Sequence, residues 1–169
     1  MTILWFHVDN KLIHGQIGLA WVRYLKADTI VVISEDVAKD EFKKAIVPLG
    51  APPGIKTIIL SPEEAIEKVN NGFDGMKVFL IIQYPSEALS LVEKGAKINH
   101  INLGTSMIHP SDKTYIVRSS RSTAVPIPEG DVPVWKKLHE LGVKLTVQQV
   151  PVDLPVDLNQ KIEDGLFDK

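Results

Sequence analysis

Lys77-Val78-Phe79-Leu80-Ile81-Ile82, followed by Gln83-Tyr84-Pro85-Ser86, decides the fold. Successive side chains of a strand point to opposite faces, so a run apolar at nearly every position predicts a strand covered on both sides. Residues 86–94 then read as a helix with Gly95 as its stop. Working back, 56–60 is another apolar strand. Ser61-Pro62-Glu63-Glu64 supplies an N-cap, a proline at the first helical position and a capping-box glutamate, predicting a helix over 62–70. Thr29-Ile30-Val31-Val32-Ile33 is a short run of β-formers, and Ala38, Phe42, Ala45, Ile46 and Leu49 recur at helical spacing, predicting one strand and one helix. At the start, 3–8 reads as a buried strand, and Ile17, Ala20, Trp21, Tyr24 and Leu25 as a helical face. Downstream, 98–103 is a strand, and 110–128 reads as irregular with a short strand around Tyr115-Ile116-Val117. Val134, Trp135, Leu138 and Leu141 form a helical face ended by Gly142, before a last long strand over 143–150. Pro151 and Pro155 favour an extended path, and a short helix follows over 158–166. The expectation is an α/β fold: a single three-layer domain, 1–169, with a central mostly parallel sheet and helices on both faces.

The bulk properties narrow the function. A chain of 169 residues suits one well-packed domain. A net charge of -2 argues against broad attraction to nucleic acid or anionic membranes, so no nucleic-acid partner is expected. No apolar run approaches bilayer length and no leader pattern opens the chain, which predicts a soluble, cytoplasmic protein. The absence of cysteine excludes disulfides, thiolate catalysis and cysteine-bound metal.

The chemistry concentrates in Asp9-Asn10-Lys11-Leu12-Ile13-His14-Gly15-Gln16, where a histidine sits on a polar turn between strand and helix. A helix start offers unpaired amide donors and a positive dipole end, which suit an anionic group held beside His14, and Gly15 leaves room for close backbone approach. A lone histidine is more often a cap or a satisfied core group, and the chain has neither a G-x-G-x-x-G nor a Walker signature. In an open α/β sheet ligands gather at the carboxyl ends of strands, so Gln83-Tyr84-Pro85-Ser86 and Gly104-Thr105-Ser106-Met107 are the turns to converge with the octet. Taken singly, each is equally an ordinary loop. His100 and His139 carry no ligand pattern, and His7 and His14 lack metal-site spacing, so no metal and no cofactor are expected. His109 and the Arg118-Ser119-Ser120-Arg121 patch read more safely as loop residues.

At these residues the chain resembles the IIB component of the mannose/fructose/sorbose family of the bacterial phosphotransferase system (PTS). Such proteins carry a strand, then Arg-Ile-Asp-Asp/Asn-Arg-Leu-Ile/Val-His-Gly-Gln-Val, then a helix with tryptophan; the counterpart here runs from His7 to Ile17, with Trp21. Ser34-Glu35-Asp36-Val37-Ala38, Ile101-Asn102-Leu103-Gly104, Trp135-Lys136-Lys137-Leu138 with Gly142-Val143, Val150-Pro151 and Pro155-Val156-Asp157-Leu158 extend the similarity over nearly the whole chain. The resemblance implies a phosphoryl carrier, a phosphotransferase whose histidine, by position His14, accepts a phosphoryl group from phosphorylated IIA. It then passes the group to a sugar entering through the IIC and IID membrane components. No nucleotide or metal is required. It further implies that Asp9 orients the loop or a ring N–H and that Lys11 contacts the phosphoryl group as a point charge. Gln16 would donate to the carried group or the sugar, with Asn10, Gly15, Gln83, Gly104, Thr105 and Ser106 around it, and phosphorylation at Nδ1 is the family's pattern.

His7 and Lys11 depart from that pattern, replacing arginines whose rigid forks match phosphate geometry. Thr105-Ser106 stands where many members have small glycines. Two alternatives follow: a non-transferring regulatory relative that binds PTS partners, and a small-molecule-binding α/β module.

Overall fold

The computed structural model describes residues 3–15, 17–119 and 124–169. In it β1 (Ile3–Asp9) leads through the octet into a π-helical turn (Ile17–Trp21) and α1 (Val22–Leu25). There follow β2 (Thr29–Ile33), α2 (Glu35–Lys39), α3 (Glu41–Ile46), a 3₁₀ turn (Val47–Gly50), β3 (Lys56–Leu60), α4 (Pro62–Asn71), β4 (Val78–Ile82) and α5 (Pro85–Glu93). The second half holds β5 (His100–Thr105), β6 (Thr114–Arg118), β7 (Ala124–Pro128), α6 (Val132–Glu140), β8 (Lys144–Val147), β9 (Val156–Asp157) and α7 (Leu158–Glu163).

The main sheet runs β3-β2-β4-β1-β5-β8-β9 and is parallel except where β9 pairs with β8. Strand parity splits the core in two. Phe6, Val8, Val31, Leu80 and Leu103 face one layer with Ala65 of α4, Leu91 of α5 and Trp135 of α6. Ile30, Val32, Phe79 and Ile81 face the other, with Trp21, Val22 and Val37. Helices therefore cover both faces, as the apolar β4 requires, and every residue of β4 is buried. The Ser61 capping box forms as predicted, with Ser61 Oγ accepting from Glu64 N–H and Glu64 Oε2 accepting from Ser61 N–H.

Several local expectations are corrected. The single helix expected after β2 is broken at Asp40, whose Oδ1 accepts from the backbone N–H groups of Phe42 and Lys43 and so caps a second helix. Its supposed apolar face stays outside: Phe42, Ile46 and Leu49 are exposed. Within 110–128, β6 and β7 pair as an antiparallel hairpin. Pro126 and Pro128 disguised its second strand, being tolerated because β7 pairs only with β6. The last parallel strand is four residues, Lys144–Val147, because the chain leaves the sheet at Gln148 and returns antiparallel as β9.

The face carrying Trp21 changes character across the sheet. Parallel register aligns Ile81, His7, Asn102 and Thr146 in one row over β4, β1, β5 and β8, so the apolar row turns polar at β1. Trp21 covers the junction. Wholly buried, it stacks on Trp5 (centroids 5.2 Å) and Phe79 (6.3 Å), and its Nε1 donates to Gln149 O at 2.9 Å.

A candidate phosphoryl-acceptor site at the carboxyl edge of the sheet

The octet is a fixed turn. Leu12 N–H donates to Asp9 O at 3.0 Å, and Leu12 adopts a left-handed backbone (φ 55) while its side chain is buried. A non-glycine residue in that region is held by its surroundings, here by burial of the leucine. Lys11 N–H donates to Asp9 Oδ1 at 2.9 Å, closing an Asx turn, and Gly18 N–H donates to His14 O as the helical segment starts. Gly50 clamps the turn from outside: a β-carbon there would meet Ile13 O at 2.6 Å, and one at Gly18 would meet Gly50 O at 2.9 Å.

The turn brings His14 back over Asp9. His14 Nε2 lies 2.9 Å from Asp9 Oδ2, with the carboxyl group 3% and the imidazole 27% exposed. A carboxylate can only accept, so Nε2 carries the proton and Nδ1 keeps its lone pair. Asp9 thus has both oxygens engaged and fixes the tautomer of a partly exposed ring.

The three strand-end loops do converge, chiefly on Asn10. Gln83 Nε2 donates to Asn10 O at 3.0 Å, and Thr105 Oγ1 donates to Asn10 Oδ1 at 2.6 Å. These polar groups brace the turn against β4 and β5. A register shift between Val8↔Leu103 and Asp9↔Thr105 leaves Gly104 unpaired and aims Thr105 at the octet. Among the described residues Ser106 Oγ is buried without a partner and nothing lies within 4 Å of where a β-carbon on Gly15 would stand, while the Lys11 side chain is exposed. Gln16 lies outside the described residues, as does Arg121. His109 is on an exposed loop where its N–H caps Asp112 Oδ2, and His139 is tied to Asn159.

Behind the turn lies a polar group that the motif does not single out. Asn102 Nδ2 donates to Gln148 O (2.9 Å) and to His7 Nδ1 (3.0 Å), while Asn102 Oδ1 accepts from Thr146 Oγ1 (2.8 Å). Thr146 Oγ1 in turn accepts from His100 Nε2 at 2.7 Å. The acceptor-only Gln148 carbonyl fixes the direction of the Asn102 amide, and the order of donors follows from it. Burial foremost, with a push from His14 and against the pull of Asp9, lowers the His7 pKa to about 4. Burial also lowers that of His100. The signal for these residues was polarity at Asn102 between Ile101 and Leu103 within an otherwise buried strand.

A tautomer-locked, partly exposed imidazole at the carboxyl edge of a parallel sheet has the geometry of a candidate nucleophile. The chain belongs to the PTS sorbose subfamily of IIB components, whose family profile it matches over residues 3–168. It is thus a phosphotransferase component of the bacterial sugar phosphotransferase system. It is 36% identical over 165 residues to the sorbose-specific EIIB component of Lacticaseibacillus casei, covering 97% of each chain. It is 31% identical over 161 residues to the fructose-specific EIIB component of Bacillus subtilis, covering 95% of each. Its fold superposes on the IIB domain of the sorbose permease from Klebsiella pneumoniae with a TM-score of 0.79 at 28% identity, covering 99% of each chain. Among the described residues no helix is long and apolar enough to cross a membrane.

Proposed function

We propose that His14 is the phosphoryl acceptor and that residues 1–169 act as one IIB unit in the cytoplasm. The observation that carries the reading is the His14 Nε2 to Asp9 Oδ2 hydrogen bond of 2.9 Å, which leaves Nδ1 as the nucleophile. The Nδ1 lone pair attacks phosphorus on the phosphohistidine of IIA; the new P–N bond forms as the donor's P–N bond breaks, and the donor ring recovers its lone pair. Nε2 keeps its hydrogen throughout, and Asp9 offsets the positive charge that the phosphorylated ring acquires. Lys11 contributes a point charge to the phosphoryl oxygens, and the free space at Gly15 admits the group. In handing on the group at IIC and IID, a sugar hydroxyl oxygen bonds to phosphorus as the P–N bond breaks; Nδ1 of His14 recovers its lone pair and the hydroxyl proton leaves to solvent.

The test is intact-protein mass spectrometry at mildly alkaline pH after incubation with phosphoenolpyruvate, enzyme I, HPr and the cognate IIA. A single acid-labile phosphoryl adduct, absent in His14→Ala, is the expected result. Stable IIA binding with IIA charged and no adduct would favour the non-transferring regulatory reading, which the replacement of two family arginines by His7 and Lys11 motivates.

A further inference from the structure

His7 is wholly buried, and its Nε2 has no hydrogen-bond partner among the described residues. That nitrogen lies 4.0 Å from Asp9 Oδ2, the oxygen that holds His14. Asn102 donates to Nδ1, so the ring's hydrogen is on Nε2. A buried N–H without an acceptor is a cost that folded proteins seldom carry. Here the ring is also fixed in place. Trp21 and Phe79 flank it at centroid distances of 5.2 and 5.4 Å, and a β-carbon on Gly104 would come within 2.3 Å of Nε2. The backbone opposite is bare where the ring needs room.

We infer that His7 is a positioning residue for phosphoryl transfer: its neutral Nε2–H, aligned by Asn102 and seated against Gly104, steers the Asp9 carboxylate while leaving its charge undivided for His14. The inference rests on His14 being the carrier. A neutral dipole attracts Oδ2 without neutralising it, whereas a permanent cation at position 7 would form an ion pair and share the carboxylate between two partners. The arrangement also disfavours a second proton on His7 at neutral pH, since an Nδ1–H would confront the Asn102 N–H. When Nδ1 of His14 takes phosphorus, no proton moves: the donor's P–N bond breaks as the new one forms, and the cationic ring keeps Nε2–H on an undivided carboxylate.

Two measurements test this. In the wild-type protein at neutral pH, ¹⁵N ring shifts should show both His7 and His14 with hydrogen on Nε2 and bare Nδ1; a His7 ring with hydrogen on Nδ1, or on both nitrogens, would overturn the inference without any mutation. In transfer assays with phosphorylated IIA, His7→Leu should slow acceptance about 10- to 100-fold in kcat. KM for the donor should be unchanged, and His14 should shift to mixed tautomers. His7→Gln, which keeps an N–H of similar reach, should stay close to wild type. A folded His7→Leu protein with wild-type kcat and a pure His14 tautomer would sink the idea while leaving the carrier reading intact. No uptake even by the wild-type protein would overturn the carrier reading, and this inference with it.

Discussion

His14 Nε2 and Asp9 Oδ2 are 2.9 Å apart, and the aspartate is the more deeply buried of the two. Asp9→Asn keeps the shape but changes the direction of that bond. Lys11 N–H already claims one terminal oxygen, so the new NH₂ would face Nε2 and drive the imidazole hydrogen onto Nδ1, the nucleophilic atom. Acceptance from phosphorylated IIA should fall by about 10²–10⁴-fold, the scale of a wrong-tautomer defect, with little loss of stability. Stopped-flow transfer and urea denaturation on the same variant check both halves.

Gly50 reaches the site through Ile13. A β-carbon 2.6 Å from Ile13 O meets backbone, which cannot swing away as a side-chain tip would. Gly50→Ala should therefore cost about 1–3 kcal/mol and slow phosphoryl acceptance as well. Gly130→Ala, where nothing lies within 4 Å, is the matched control and should change neither. Equal behaviour of the two variants would remove the clamp from the account.

Lys11 has an exposed side chain, so its contribution should be electrostatic and screened by salt. Lys11→Ala should slow acceptance at low ionic strength and converge on wild type at high salt. Lys11→Arg should equal or exceed the native rate, because a guanidinium can grip phosphoryl oxygens with two N–H groups. Identical rates for Lys11→Ala and wild type at low salt would assign Lys11 to solvent alone.

Acid should loosen the fold through His7. The unfolded chain takes up this proton near the ordinary value of 6.5, whereas the native ring refuses it until about pH 4. Between those values the unfolded state holds more protons, so stability falls with falling pH across that window and this group adds no further loss below it. The full effect is roughly 3 kcal/mol. His100, also lowered by burial, acts in the same direction. Between about pH 7 and pH 4 the denaturation midpoint of wild type should fall further than that of His7→Gln, because the variant lacks the titrating ring. Parallel curves would show that His7 is not the group responsible.

What the sequence revealed was local. The strand at Thr29–Ile33, the strand at Lys56–Leu60 and the Ser61 capping box are each specified by neighbouring residues, and each forms where expected. The octet likewise marked His14 and Asp9 because the Asx turn and the return of the ring are short-range geometry. Ala124–Pro128 was hidden because its prolines argue against a strand unless its neighbours are known. Helical spacing from Ala38 to Leu49 misled, since periodicity does not reveal that Asp40 restarts the helix or that nothing covers Phe42 and Leu49. The facing of His7 and Gly104 was out of reach, because it depends on how β1 and β5 register against each other.

That facing has a meaning for descent. The volume a side chain would need at position 104 already belongs to an imidazole contributed by a distant strand, so the two positions share one parcel of space. Any enlargement at 104 must wait until position 7 has shrunk or turned aside, so the order of those two steps is set by sterics.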